Sequence, residues 1–238
     1  MQSLPPADVK ESAVQKMFSS IARYYDLNNT LLSLGLHHQW KKNAVRVAGL
    51  RHGDKVADIG AGTGDLSVYA SHEVGETGQV IAIDLNEAML QIGHKRLERK
   101  NESCIRGNAE RLPLKDQSVQ VVLTGFCLRN VSDIDCALGE MFRVLTPNGR
   151  MVCLEFSRPT HRLFRKLYDF YSFTLLPTIG TWVSNDHTGV YHYLPASIRQ
   201  FPHQELFSEK LHQIGFREIS YLNQVGGIVA IHVCKKPN

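Results

Sequence analysis

The run VADIGAGTGD, from Val56 to Asp65, sets three glycines in five positions directly after a short apolar segment and directly before a helix-length one. A strand that enters a glycine-rich turn and leaves as a helix gathers backbone N–H groups and the positive end of the helix dipole at one point, where nucleotide-type ligands bind. Val56 to Gly60 reads as a strand, Asp65 to Val74 as a helix and Gln79 to Asp84 as a second strand. A helix over Glu87 to Lys100, a short strand around Ile105, a strand over Val119 to Gly125, a helix over Asp133 to Leu145, a turn at Thr146 to Gly149 and a strand over Arg150 to Phe156 continue the alternation. Such alternation specifies an α/β fold, a parallel sheet covered by helices on both faces. The end of the chain departs from it. After a helix over Gln204 to Ile214, the strands Phe216 to Asn223 and Gly227 to Cys234 are separated only by a Gly-containing turn, so they should pair as a hairpin.

A length of 238 residues, 43% of them hydrophobic, suits one domain spanning 1–238 with an elaborated lid rather than two independent domains. The net charge of +4 is mild and spread along the chain, which speaks against a nucleic-acid partner and is compatible with approach to an anionic membrane surface. The five cysteines, Cys104, Cys127, Cys136, Cys153 and Cys234, form no Cys-x-x-Cys pair, so a reducing compartment and no metal site are expected. The start, MQSLPPADVKESAVQ, lacks a secretory pattern, and no apolar run approaches the roughly 18 residues of a membrane span. The expectation is a soluble cytoplasmic protein that meets a membrane only peripherally.

The acids around the glycine turn narrow the ligand. In the dinucleotide fingerprint Gly-x-Gly-x-x-Gly the third glycine would fall at position 65, which is Asp65, a poor neighbour for a pyrophosphate. Asp58 lies two residues before Gly60, and both acids suit a cation. S-adenosylmethionine offers a nucleoside, a sulfonium and an ammonium with no phosphate. Asp84, ending the second strand, lies where an acid accepts hydrogen bonds from both ribose hydroxyls. Each acid alone would serve equally as a turn or helix cap; the three at these spacings favour cofactor binding.

Together VADIGAGTGD, VIAID, GNAERLP, FCLRNV, LTPNGRMVCLEFSRP, YHYLPASIR and GGIVAIH resemble the ubiquinone/menaquinone biosynthesis C-methyltransferase family, from about Phe18 to Cys234. The resemblance implies a class I methyltransferase (Rossmann-like) fold: a seven-stranded, mostly parallel sheet with a C-terminal antiparallel hairpin. The strand count read from the residues ends the same way. It further implies S-adenosyl-L-methionine as cofactor, its methionine end held by Thr63 and the glycine turn (Gly60, Gly62, Gly64), its ribose by Asp84, and its adenine beside Asn108 and Ala109. Asn108 read alone is also an ordinary turn asparagine. Gly125 departs from the family, which often has a polar residue there, and offers the cofactor only backbone.

The substrate that the resemblance implies is a quinol with a prenyl or phytyl tail, either a demethylnaphthoquinol or a ubiquinol precursor, methylated on a ring carbon. Carbon is a poor nucleophile until the adjacent phenol ionises, so the enzyme must stabilise a phenolate and hold the ring carbon near the methyl group. Arg129, just beyond the fourth strand, stands at the carboxyl edge where open α/β sheets bind ligands; its other reading is an ion pair with Asp133. Tyr25 matches a Tyr-Asp pair in the family's N-terminal cover, residues 1–45, and is placed to close over the methionine and bond the same water as Arg129. Glu155 is either a carboxylate with a raised pKa or the partner of Arg158. His187 and His192 flank a loop, SNDHTGVYHY, that is slightly longer than the family norm, and either is a candidate base. Cys127 stands where the family usually has glycine. The segment Leu163 to Val183, within an insertion at 160–200, carries apolar and aromatic residues suited to a substrate gate at a membrane surface, and equally to a core-covering helix or a homodimer face. Two alternatives stay open: methylation of another small molecule, and a non-catalytic cofactor-binding subunit of a quinone-synthesis complex. A nicotinamide reductase is disfavoured by Asp65.

Overall fold

The computed structural model describes residues 7–97, 99, 101–171 and 190–238, with backbone alone at 7, 8 and 190–192. Three helices come first: α1 (Ala7–Ile21), α2 (Tyr25–Leu32) and α3 (Leu36–Ala48), with a 3-10 turn at Ala22–Tyr24. Then follow β1 (Lys55–Ile59), α4 (Asp65–Val74), β2 (Gln79–Asp84), α5 (Glu87–His94), β3 (Glu102–Arg106), β4 (Val119–Gly125), α6 (Ile134–Val144) and β5 (Leu145–Phe156). The last elements are α7 (Arg162–Phe170), α8 (Val190–Gln200), α9 (Gln204–Ile214), β6 (Arg217–Gln224) and β7 (Val229–Lys235).

Seven strands form one sheet in the order β3-β2-β1-β4-β5-β7-β6. The pairs from β3 through β5 are parallel, and β7 runs antiparallel to both β5 and β6. The hairpin enters the sheet by its second strand. Val229, Ala230 and Ile231 are buried in succession, which suits an interior position, whereas β6 (REISYLNQ) is mostly exposed or half-buried, as an edge strand is. Between β1 and β4 the strand order reverses, and the carboxyl ends of those strands mark the point where ligands bind in such sheets.

Successive residues of the strands feed two apolar layers. Val56, Val80, Val121 and Leu123 pack with Trp40, Ala44 and Val45 of α3 and with Leu66, Ala70 and Val74 of α4. Ala57, Ile81, Ile83 and Val122 turn to the opposite face, against Leu138 and Met141 of α6 and Phe207 and Leu211 of α9. Each of these large side chains, fully buried, contributes about 1.5 to 3 kcal/mol relative to exposure.

Two elements differ from the sequence expectation in ways that matter for the site. The helix expected to run to Lys100 ends at His94, because Gly93 packs against the glycine turn and its carbonyl accepts from the N–H groups of both Arg96 and Leu97. The chain therefore turns and sends Arg96 toward the turn. The Thr146–Gly149 turn is folded into β5: Val119 faces Leu145 and Val121 faces Arg150, so the residues between bulge outward, with Asn148 at φ +61°. His187 lies outside the described residues, as does the 163–183 segment beyond Tyr171. Among the described residues no helix is long and apolar enough to cross a membrane.

Candidate active site

A cavity opens at the carboxyl ends of β1, β2 and β4, and α1 forms one of its walls through Glu11, Val14 and Phe18. Of the residues singled out in the sequence, Tyr25, Gly60, Gly62, Asp84, Asn108, Ala109, Gly125 and Cys127 line it. Among the described residues, the acids Glu11, Asp84 and Glu110 are in its wall and no Lys or Arg is.

The glycine turn is needed at two points for different reasons. Gly60, at φ +70°, lies so close to Cys127 that an added Cβ would stand 2.2 Å from Sγ. The thiol fills the space, and burial pushes its pKa up to about 12. Gly62, at φ +57°, would meet nothing within 4 Å and presents bare backbone to open space. Asp84 fixes the turn from β2. One oxygen accepts from the Gly62 N–H at 2.8 Å and the other from the Asn86 N–H at 2.7 Å. Burial pushes its carboxyl up while these backbone donors hold it down. A carboxylate has about four lone-pair sites, so two remain for ligand hydroxyls. Asn86 in turn caps α5 and donates to Gln15 O and Ser19 Oγ, holding α1 against the cavity.

Asp58, Thr63 and Gly64 stand behind the wall rather than in it. Asp58 is fully buried beneath the turn, where one oxygen accepts from Ser67 Oγ at 2.6 Å and Oδ1 has no partner; burial pushes its pKa up to about 6. Thr63 Oγ1 donates to Asp26 Oδ1 at 2.7 Å, and its carbonyl accepts from Arg96 at 3.0 Å, so it ties the helical N-terminus to the turn. Gly64 caps α4 in the left-handed conformation. The expectation that Asp65 suits a ligand's cation is corrected: Lys41 Nζ, at 2.6 Å, and the Arg96 guanidinium hold its buried carboxylate. His37 and His38 lie near enough to Asp65 to share a metal ion with it, but those two cations already claim the carboxylate and would repel a third. Asn108 is both things the sequence allowed. Its Oδ1 closes a turn onto the Glu110 N–H, its Nδ2 donates to Glu11 of α1, and it faces the cavity.

Beside the cavity lies a second cluster that the sequence reading had as separate pieces. Arg129 is not paired with Asp133, whose side chain caps α6, nor is Glu155 paired with Arg158. They pair with each other at 2.8 Å, both deeply buried. Arg129 Nη1 also donates to Phe126 O at 2.6 Å, and the guanidinium lies 5.8 Å and 5.2 Å from the ring centroids of Phe126 and Phe156. Its Nε is buried without a partner. Tyr193 of α8 donates to Asn130 Oδ1 at 3.1 Å and packs with Tyr25, Met17 and Ile21; burial pushes its phenol up to about 12. Tyr193 was passed over in the sequence, as were Asp26, Lys41 and Arg96. The only signal for Tyr193 was its place in YHYLPASIR, and an aromatic there reads first as packing. Of the two candidate histidines, His187 lies outside the described residues and only the backbone of His192 is described.

The profile of the ubiE/COQ5 methyltransferase family matches residues 6–236. A ubiquinone/menaquinone biosynthesis C-methyltransferase of Pseudoalteromonas translucida is 45% identical over 227 residues, covering 94% of this chain and 90% of that relative. The protein of the same description from Stutzerimonas stutzeri is 44% identical, covering 98% and 92%. Among solved structures, a SAM-dependent methyltransferase of Thermotoga maritima superposes with a TM-score of 0.67 at 19% identity over 94% of this chain and 99% of that one. A SAM-dependent methyltransferase of Aquifex aeolicus gives 0.61 at 20% identity over 82% and 88%. At these identities the structural likeness speaks for the fold, a class I methyltransferase sheet.

Proposed function

The chain belongs to the ubiE/COQ5 methyltransferase family, and from that membership we propose how its residues divide the work of methylating a quinol. It is an S-adenosylmethionine-dependent C-methyltransferase of ubiquinone/menaquinone biosynthesis. The observation that carries the cofactor assignment is the cavity wall: three acids, no basic side chain among the described residues and a bare Gly62 backbone suit a ligand that is cationic, nucleoside-like and free of phosphate. When bound, the cofactor supplies an electrophilic methyl group on a sulfonium.

In this reading Asp84 accepts from the ribose hydroxyls with the lone pairs left free by Gly62 and Asn86. Gly60, Gly62 and Gly64 shape the turn that receives the methionine end, while Thr63 and Asp58 support it from behind. Asn108 and Ala109 border the adenine, and Gly125 contributes backbone. The cover of the site is the N-terminal helical segment, anchored through Asn86, Asn108 and Thr63. Arg129 stabilises the phenolate, whose charge spreads to the ring carbon that is methylated, and the guanidinium edge that bonds neither Glu155 nor Phe126, Nε with Nη2, is the one left for it. Tyr25, near enough to interact electrostatically with Arg129, orders the water that carries the phenolic proton away.

The quinol's tail calls for an apolar approach. Leu163, Leu167 and Phe170 fall on one face of α7, each about 60% exposed, with Arg162 and Lys166 beside them. Leu27 and Leu31 of α2 are exposed as well, and the Tyr171 hydroxyl joins the two regions by donating to Leu32 O at 3.0 Å. This face is the proposed point of peripheral contact with an anionic bilayer. The test of the whole reading is to incubate the purified protein with S-adenosylmethionine and short-tailed demethylnaphthoquinol or benzoquinol. A product bearing one new ring-carbon methyl is expected. Methylation on oxygen, or of neither quinol, defeats it.

A further inference from the structure

We propose that Glu155 is a positioning residue of the methyl-transfer site, aiming the Arg129 guanidinium and metering how much of its charge the substrate oxygen receives. This rests on the assignment of Arg129 to the phenolate.

The geometry of the pair is one-sided. Glu155 accepts from Arg129 Nη1 at 2.8 Å, from its neighbour's Phe156 N–H at 2.8 Å and, at 3.4 Å, from the Arg129 backbone N–H. Nη1 is thus committed to Glu155 and to Phe126 O, and the ring faces of Phe126 and Phe156 flank the guanidinium. The plane of the guanidinium is fixed, and Nε and Nη2 are left over. A buried, paired arginine whose unpaired donors lie along one edge has a definite direction in which to receive a ligand.

Stability alone is a weak reason for such a pair, because burying two charges costs about as much as their attraction returns. Its position offers a better one. Arg129 follows β4 and Glu155 lies near the end of β5, at the same carboxyl edge as the cavity. Inside a poorly hydrated site an unmatched guanidinium would attract any anion strongly and would hold a phenolate so well that its ring carbon became less reactive. A carboxylate already on that guanidinium makes the phenolate compete. The other titratable groups facing the pair are Tyr25 from the N-terminal cover, Tyr193 from α8 and the thiols of Cys127 and Cys153. Burial pushes the Tyr193 phenol and both thiols up, so Glu155 is the charge placed to balance Arg129.

The experiment compares wild type, Glu155→Gln and Glu155→Asp by kcat and KM against pH with a short-tailed demethylated quinol, by calorimetric titration with S-adenosylmethionine, and by Tm. Glu155→Gln keeps an acceptor but removes the charge. The acid limb of its kcat profile should move down by about one pH unit, since the phenol ionises more easily beside an unmatched cation, with cofactor Kd within about twofold of wild type. Glu155→Asp keeps the charge and shortens the reach; its acid limb should stay in place while kcat falls about tenfold and KM much less. The proposal is overturned by profiles that superimpose on wild type while only Tm falls, which is a structural role. It is also overturned by a folded Glu155→Gln that is inactive at every pH, which would make Glu155 the proton acceptor. If Glu155→Gln does not fold, a Glu155→Asp with wild-type kcat overturns it. Wild type inactive on every quinol is a different failure, that of the substrate assignment.

Discussion

A half-buried carboxylate at the end of β2 and a buried one near the end of β5 are held in opposite ways. Asp84, at the end of β2, takes only backbone N–H groups, whereas Glu155, near the end of β5, takes an arginine. A carboxylate on backbone donors remains an acceptor that can meet neutral hydroxyls at modest cost. One neutralised by a guanidinium has little left to offer a ligand but governs the behaviour of its partner. The β2 end therefore suits recognition of a ligand that does not change, and the β5 end suits a charge that appears only during reaction.

The contrast is broken most severely at Arg129. Arg129→Ala should lower kcat on the order of a hundredfold or more. It would also strand Glu155 as an uncompensated buried charge, at a cost of about 3 to 5 kcal/mol in stability. Adding Glu155→Gln to that variant should restore much of the stability and none of the turnover. Recovery of both, measured by denaturant midpoint and steady-state rate, would remove Arg129 from the chemistry.

At the other carboxylate the effect should fall on binding. Asp84→Ala is expected to weaken S-adenosylmethionine binding by about 1.5 to 3 kcal/mol without unfolding the protein, the range for hydrogen bonds to a charged group. Calorimetric titration checks this, and unchanged affinity would take Asp84 out of the ribose site. Asp58 sharpens the comparison because it is buried beside the same turn with one oxygen unpaired. Its pKa is raised from 3.8 to about 6 by burial, so its contribution to stability is fully present below its unfolded value near pH 4 and is lost as the pH rises through about 6. His37 and His232, both pushed down to about 4, act in the opposite sense in the same window, losing stability as the pH falls. The difference between wild type and Asp58→Asn isolates the acid: the variant should gain about 3 kcal/mol relative to wild type between pH 4 and 7. A constant difference across that range would show that Asp58 titrates normally.

The two ends were also unequally legible in the sequence. Val56 to Asp84 could be read almost residue by residue, since a strand, a glycine turn, a helix and a closing acid are all local signals. The hairpin was legible for the same reason, but not that β7 rather than β6 would join β5, which depends on comparing the burial of the two strands. Arg129 and Glu155 were both noticed, and burial does raise the Glu155 carboxyl as one reading of it held, but the ion pairs offered as their other readings are not the one formed. Asp133 and Arg158 are near in sequence, while the true pairing crosses between strands that only the sheet order makes neighbours. Asp65 misled similarly: Lys41 and Arg96 come from α3 and from the bend after α5, and nothing local announces either. Tyr193 reaches the site from a helix far along the chain, so only tertiary structure shows its bond to Asn130.

The smallest effect is expected furthest from both carboxylates, on the apolar face of α7. Leu167 and Phe170 are 61% and 59% exposed, so replacing them with Ser removes little packing and should change Tm hardly at all. What the substitutions take away is apolar surface available to a bilayer or to a substrate's tail. The double variant should raise KM for a long-tailed quinol about five- to tenfold, leave KM for a short-tailed analogue and cofactor affinity unchanged, and bind vesicles containing anionic phospholipid more weakly. Rim cations such as Arg162 and Lys166 make that vesicle binding salt-dependent, whereas tail entry through the same face would not be. Equal KM increases for both substrates would place the entry route elsewhere, and conversion of a dimer to a monomer on the same substitutions would assign the face to a second copy of the chain. Neither result would disturb Asp84 or Arg129, because the face lies outside the strand-end geometry that holds them.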